Sequence, residues 1–117
     1  MLLRIDPASS VPLFEQLAAS VRAEASRGNL REGDRLPAAR DVAVSLDINV
    51  HTALRAYQLL RDEGLVDLRR GRGAVVTDRV AHYSELGEAI PRLVASAKEV
   101  GVGVQTLTAM IRQEYGS

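Results

Sequence analysis

The sequence of 117 residues contains no cysteine and no tryptophan, and aromatic residues make up only 3% of it. Without cysteine the chain cannot form a disulfide framework or a thiolate metal site, and two histidines, His51 and His82, are too few to complete a zinc shell. Charge of one sign is also not in excess, because 15 lysine and arginine residues balance 15 aspartate and glutamate residues. We therefore expect no metal and no cofactor, and the overall charge does not indicate a polyanionic partner.

Long apolar runs and catalytic motifs are missing too. No stretch approaches the roughly 18 apolar residues of a membrane span, and residues 1–12 lack the basic-then-apolar order of a signal peptide. The segment Gly71-Arg72-Gly73 lacks the lysine and following hydroxyl of a phosphate-binding loop, and there is no dinucleotide fingerprint or nucleophile motif. We expect a small cytoplasmic protein that has no membrane contact and is not an enzyme.

Three helices are predicted in the first half of the chain. Apolar residues recur at spacings of three and four after Pro12, which predicts an amphipathic helix of about four turns. A helix of about two turns follows Pro37, and Asp47 then tolerates the left-handed conformation that a tight reversal requires. Asn49 is a suitable N-cap for a third helix, which Gly64 ends.

The second half changes to strand and then back to helix. The β-prone runs at residues 65–69 and 74–77 flank a glycine-containing loop and predict a hairpin. Residues 78–83 are polar and predict a hinge. Apolar positions over residues 84–115, interrupted at Gly101 and Gly103, predict two helices, the first kinked or restarted at Pro91.

This order of elements is that of a winged helix-turn-helix domain. The small residues Ala43 and Ala53 lie where its two crossing helices must approach closely, although periodicity alone is equally compatible with an ordinary helical hairpin. The expected fold class is α+β and mostly α. We expect a winged helix-turn-helix domain over residues 1–78, followed by a helical hinge and a short two-helix dimerisation tail over residues 79–117.

The sequence resembles the GntR family of bacterial transcriptional regulators over about two thirds of its length. The resemblance lies in five stretches: PLFEQL at 12–17, GDRLP at 33–37, AYQLL at 56–60, EGLV at 63–66 and RRGRG at 69–73. The tail, with Val100-Gly101-Val102 before its last helix, is similar to the small dimerisation module of the YtrA subfamily.

The resemblance implies that the third helix enters the major groove of double-stranded DNA and that the arginine-rich hairpin is a wing. Val50 and Leu54 depart from the polar character that the family has on this helix, so the sequence does not choose among the base contacts. The candidate DNA-contacting residues are Arg40, Asn49, Val50, His51, Thr52, Arg55, Arg69, Arg70, Gly71, Arg72 and Gly73.

The tail has more apolar surface than a short helical hairpin can bury against itself, which predicts a homodimer. The candidate dimerisation residues are Leu86, Ile90, Leu93, Val94, Ala97, Leu107, Met110 and Ile111. A dimer would read an inverted-repeat operator, and the resemblance implies a repressor that acts in the bacterial cytoplasm, associated with the nucleoid when bound to DNA. Constitutive binding and release by a small-molecule effector are both compatible with these residues. The alternative is a winged-helix protein-interaction module that does not bind DNA.

Overall fold

The structure, a computed structural model, describes residues 2–117 and contains five helices and a two-stranded sheet within that range. In chain order the elements are α1 (Leu13–Ser26), α2 (Ala39–Leu46), α3 (Val50–Asp62), β1 (Val66–Arg69), β2 (Gly73–Val76), α4 (Val80–Glu99) and α5 (Val104–Tyr115). The fold class predicted from the sequence is confirmed, and the first three helices and the hairpin lie within one or two residues of their predicted bounds.

The core lies between α1, α3 and the hairpin. The apolar stripe of α1 faces that of α3, and Leu17, Val21 and Leu60 are fully buried there. Tyr57 also points inward, and its hydroxyl donates a hydrogen bond to the backbone carbonyl of Pro37 at 2.5 Å. The helical periodicity of the sequence thus corresponds to one continuous core.

The hairpin is antiparallel, with Val66 opposite Val76 and Arg69 opposite Gly73. Residues 33–36 run along the free edge of β2. The N–H of Leu36 donates to the carbonyl of Ala74 at 2.9 Å, and the N–H of Val76 donates to that of Asp34 at 2.8 Å. Backbone hydrogen bonds on both sides of β2 therefore anchor the hairpin to the helical core.

The start of the tail differs from the prediction. The hinge expected over residues 78–83 is wrong for residues 80–83, because these residues form the first turn of α4. Of the two alternatives predicted at Pro91, a kink or a restart, the restart is wrong, since α4 continues through this residue. A proline lacks only its own backbone N–H, so it leaves the Gly87 carbonyl without its helical donor while the flanking turns remain intact.

The first half of α4 packs against α1. The hydroxyl of Ser84 donates to the carbonyl of Ala25 at 3.2 Å, and a Cβ atom at Gly87 would lie only 2.2 Å from the carbonyl oxygen of Ser26. A glycine is therefore required at this helix crossing. Because these contacts join the tail to the first helix, the division into units at residues 78 and 79 stays a prediction.

Candidate nucleic-acid interface

The helix-turn-helix unit is formed by α2, α3 and the turn between them. Asp47 ends α2 with φ +54°, the left-handed conformation expected from its residue type. The N–H of Ile48 then donates to the carbonyl of Ala43 at 2.9 Å. Ala43 and Ala53 are both buried, so the small side chains do lie where the two helices approach each other.

The N-terminal half of α3 presents a mixed polar and apolar surface. Val50, His51 and Leu54 are exposed and Thr52 is half-buried. Asn49 lies at the N-cap, where its side-chain oxygen accepts the N–H of His51 at 2.8 Å. The Asn49 amide group therefore keeps its NH₂ donors and the second lone pair of its oxygen for another partner.

Arg55 is held by a contact that the sequence did not reveal. Its guanidinium carbon lies 3.8 Å from the centroid of the Phe14 ring on α1. Phe14 is partly buried and packs against the core, and its ring also supports a cation. No sequence signal indicates this pair, because its members are 41 positions apart on different helices.

The wing is the loop between β1 and β2, with Gly71 at φ +79° and Gly73 at φ +71°. These conformations allow the tight turn that the two glycines predicted. Arg69 pairs with Asp67 at 3.3 Å. Among residues 2–117, neither Arg70 nor Arg72 has a side-chain hydrogen-bond or ion-pair partner.

The backbone of the wing has a support outside the hairpin. The Nε of Arg35 donates to the carbonyl oxygen of Arg72 at 3.1 Å. Arg35 belongs to the strand-like segment beside β2, where it forms a bridge with Val75. Arg35 therefore contributes to the position of the wing, a role that its place in the sequence did not indicate.

Arg40 lies in the first turn of α2 and is exposed. Its guanidinium has no side-chain partner in the described part of the chain. Cationic side chains that are not paired within the protein remain available for phosphate oxygens. Arg40 on α2 and Arg70 and Arg72 on the wing thus lack side-chain partners in this part of the chain, as do Arg4 and Arg31 outside these elements, and the N-terminal half of α3 is exposed.

The tail keeps most of its predicted dimerisation residues exposed. Leu86 is 54% and Ile90 52% exposed on α4, and the other exposed members are Leu93, Val94, Met110 and Ile111. Ala97 is buried and Leu107 half-buried where the turn after α4 brings the two helices together. A shallow groove of ≈ 190 Å³ lies at this turn, between Leu93 and Met110, and its lining residues are apolar apart from Ser96.

The crossed helices, the anchored hairpin and the exposed third helix define a winged helix-turn-helix protein. Residues 13–76 match the family of bacterial regulatory proteins called the gntR family. This match spans more than half of the chain, and the chain therefore belongs to the gntR family of transcription regulators.

Relatives and solved structures agree with this assignment. The transcriptional repressor YtrA of Bacillus subtilis is 28% identical over 96% of this chain and 91% of its own length. The transcriptional regulator YhcF of the same bacterium is 30% identical over 86% of this chain and 93% of its own. The structure of YtrA from Sulfolobus acidocaldarius, a GntR-family transcription factor, matches 81% of this chain and 99% of its own with a TM-score of 0.62 and 33% identity.

These relatives confirm the family resemblance of the sequence, including its likeness to YtrA, and they are transcription regulators rather than enzymes. Within residues 2–117, none of the helices has the length and apolar character needed to cross a membrane.

Proposed function

We propose that this protein is a homodimeric repressor that binds an inverted-repeat operator. In this proposal α3 lies in the major groove, and the wing reaches the flanking phosphates or minor groove. The observation that carries the proposal is that Arg40, Arg70 and Arg72, which have no side-chain partner within the described residues, lie on α2 and the wing of the domain that exposes the N-terminal half of α3. Long-range charge gives no such support, since the net charge is zero.

Base readout is expected from the exposed residues of α3. His51 can hydrogen-bond to a purine edge, and Val50 can contact a thymine methyl group. Arg55, stacked on Phe14, has fewer accessible rotamers than a free arginine and loses less conformational entropy when it binds. The apolar character of Val50 and Leu54 is therefore compatible with readout of thymine-containing sites.

The exposed apolar surface of the tail supports the dimer. Leu86, Ile90 and Leu93 are about half exposed, and large contiguous apolar surface is unusual on a monomer. Two copies joined there would place two recognition helices on one operator, with half-sites about one helical turn apart or a multiple of it. A single copy offers few phosphate contacts, and at physiological salt these give weak binding.

Repression is inferred from the name of the Bacillus subtilis relative, a transcriptional repressor. A repressor of this kind acts in the bacterial cytoplasm, bound to the nucleoid. Whether a small-molecule effector releases the protein from its operator is a question for the binding experiment. The second candidate function, a protein-interaction module, is favoured by the exposed Val50 and Leu54, which would suit an apolar partner surface.

The test is selection of bound duplexes from a random library at about 150 mM salt, with and without metabolites from a cell extract. An enriched inverted repeat is expected, and His51→Ala should weaken its binding more than His82→Ala in the tail. Enrichment only without the extract would indicate release by an effector, and enrichment only with it would indicate a co-repressor. No enrichment under either condition would favour the protein-interaction module.

The dimer is tested separately by analytical ultracentrifugation at micromolar concentration. Leu93→Asp is expected to shift the protein toward the monomer, because it would place a charge on the apolar face of the tail. Val44→Asp on α2 is the matched control, since Val44 is an exposed apolar residue outside the tail. A wild-type protein that sediments as a monomer would contradict the proposal.

A further inference from the structure

One carboxylate connects the C-terminal end of α3 to two other helices. Glu63 is the residue at which α3 ends. Arg22 on α1 donates Nε–H to Oε2 of Glu63 at 3.0 Å and also donates from Nη2 to Oε1, so the two side chains meet as a two-pronged pair. The hydroxyl of Tyr83 on α4 donates to the same Oε2 at 3.4 Å.

This pair is better defined than an ordinary surface ion pair. The side chains of Arg22 and Glu63 are 32% and 29% exposed, against 50% and 67% for the neighbouring pair Arg61–Asp62. The hydrogen bond to Glu63 raises the pKa of Arg22. The planar guanidinium matches a carboxylate in one relative orientation, so the pair restrains angle as well as distance.

Tyr83 extends the connection to the tail. Burial, followed by the charge of Glu63, raises the pKa of Tyr83, so its hydroxyl remains protonated and can donate. Tyr83 is next to Ser84, whose hydroxyl bonds to α1. It is also one helical turn before Gly87, which lies against the end of α1 at Ser26. Recognition helix, first helix and tail helix therefore meet around one charged group.

The tail helix is long enough to magnify any change at this point. α4 has 20 residues, from Val80 to Glu99, and a helix of that length spans about 30 Å. The docked contacts lie at residues 84–87, so the free part of α4 is about 20 Å long, and a rotation of about 10° there would move its far end by roughly 3–4 Å, close to the ~3.4 Å between base pairs along DNA. On α4, Leu86 of the proposed dimer face lies within the docked part, whereas Ile90, Leu93 and Val94 lie beyond it.

We propose that Glu63 is a positioning residue that fixes the recognition helix relative to the tail, and that it thereby sets which half-site spacing the dimer accepts. Glu63 has this effect through Arg22 and Tyr83, without contacting DNA. The inference rests on the proposed function, since it requires a dimer that binds DNA through two copies of α3.

The experiment uses the full chain and the selected operator, with the spacer between half-sites unchanged, shortened by one base pair or lengthened by one. The ratio of affinities for the unchanged and altered operators is the spacing discrimination, measured for wild type and for Glu63→Gln, Tyr83→Phe and Asp62→Asn. Asp62→Asn is the matched control, because it removes the same charge one residue earlier and changes repulsion of DNA phosphates to a similar extent.

We expect Glu63→Gln to reduce the spacing discrimination by about threefold to tenfold, the range for one ordinary hydrogen bond, because the amide oxygen can still accept one bond from Arg22. Tyr83→Phe should reduce it less, and Asp62→Asn should leave it as in wild type. A general loss of stability would weaken binding to all three operators equally and leave the ratio unchanged. Equal discrimination in Glu63→Gln and Asp62→Asn would overturn the inference.

Two further outcomes are decided by the same data. If Glu63→Gln fails to fold, Tyr83→Phe decides, because it retains the Arg22–Glu63 pair and removes only the hydrogen bond between Glu63 and the tail. Wild-type discrimination in that variant refutes the coupling. If wild-type protein binds no duplex, the proposed function fails and the positioning role fails with it. Binding of wild type to all three operators with equal affinity refutes the positioning role alone.

Discussion

The wing offers the most direct test of DNA binding, because two of its arginines have no partner within the described residues. Each phosphate contact that is lost lowers the salt dependence of binding, the slope of log K against log salt concentration, by about 0.9. Removing Arg70 and Arg72 from both copies of a dimer would remove four contacts and reduce the slope by about 3.6. Raising the salt concentration from 50 to 200 mM would therefore reduce the ratio of wild-type affinity to variant affinity by roughly 150-fold. For a monomer, which loses two contacts, the slope would change by about 1.8 and the same affinity ratio would fall by roughly 12-fold.

The assay is fluorescence anisotropy titration of the selected operator at several salt concentrations, with wild type and the Arg70→Ala/Arg72→Ala variant. The control is Arg31→Ala/Arg61→Ala, which removes the same charge away from the wing. Arg31 lies before the strand-like segment that pairs with the far end of β2, and Arg61 is in the last turn of α3, paired with Asp62. A wing variant with the slope of wild type, or of the control, would refute phosphate binding by these arginines.

Three predictions concern the stability of the fold and are checked by urea unfolding. Gly87→Ala should lower the free energy of unfolding by about 1–3 kcal/mol, because the new Cβ would meet the carbonyl of Ser26. A glycine-to-alanine change inside a helix usually raises the free energy of unfolding by about 1 kcal/mol, and such a rise here would contradict the close helix crossing. Asp47→Gly should be more stable than Asp47→Ala by about 1 kcal/mol, since φ is +54° there; equal stability would count against the left-handed turn. Burial raises the pKa of Tyr57, so the unfolded chain releases its phenol proton first and stability should fall as the pH rises above about 10. Tyr57→Phe should lower stability at neutral pH by about 1 kcal/mol, through loss of the bond to Pro37, and should reduce the alkaline decline; an unchanged pH profile would show that Tyr57 is not its source.

The local structure of the winged domain could be predicted because its signals depend on neighbouring residues. Asn49 caps α3 through a bond to the N–H two residues later, and Asp47 adopts the left-handed conformation at its own position. The glycines of the wing have the same kind of local effect. The hinge prediction failed because it treated residues 78–83 as uniformly polar, although Val80 and Ala81 are apolar; Val80 is buried in the core and Tyr83 packs against it.

Predicted and observed sites differ where the partner of a residue is distant in sequence. The sequence indicated that Arg55 and the wing arginines are basic and exposed, but not that Phe14 lies under Arg55 or that Arg35 holds the wing backbone. Which of the candidate residues contact DNA stays a prediction, and so does the dimer surface. The structure adds that Ala97 and Leu107 are covered by the tail's own fold, while Leu86 and Ile90 remain exposed.

By itself, the sequence determined the order of helices and strands, their caps and turns, and the family, because periodicity, capping and glycine conformation act over a few residues. Only the tertiary structure decided how the tail sits on the winged domain and which charges are paired. Arg22 and Glu63 are 41 positions apart, and Ser84 and Ala25 are 59 apart. A pattern of apolar residues shows which face of a helix is buried, but the helix that covers it depends on the packing of the whole chain.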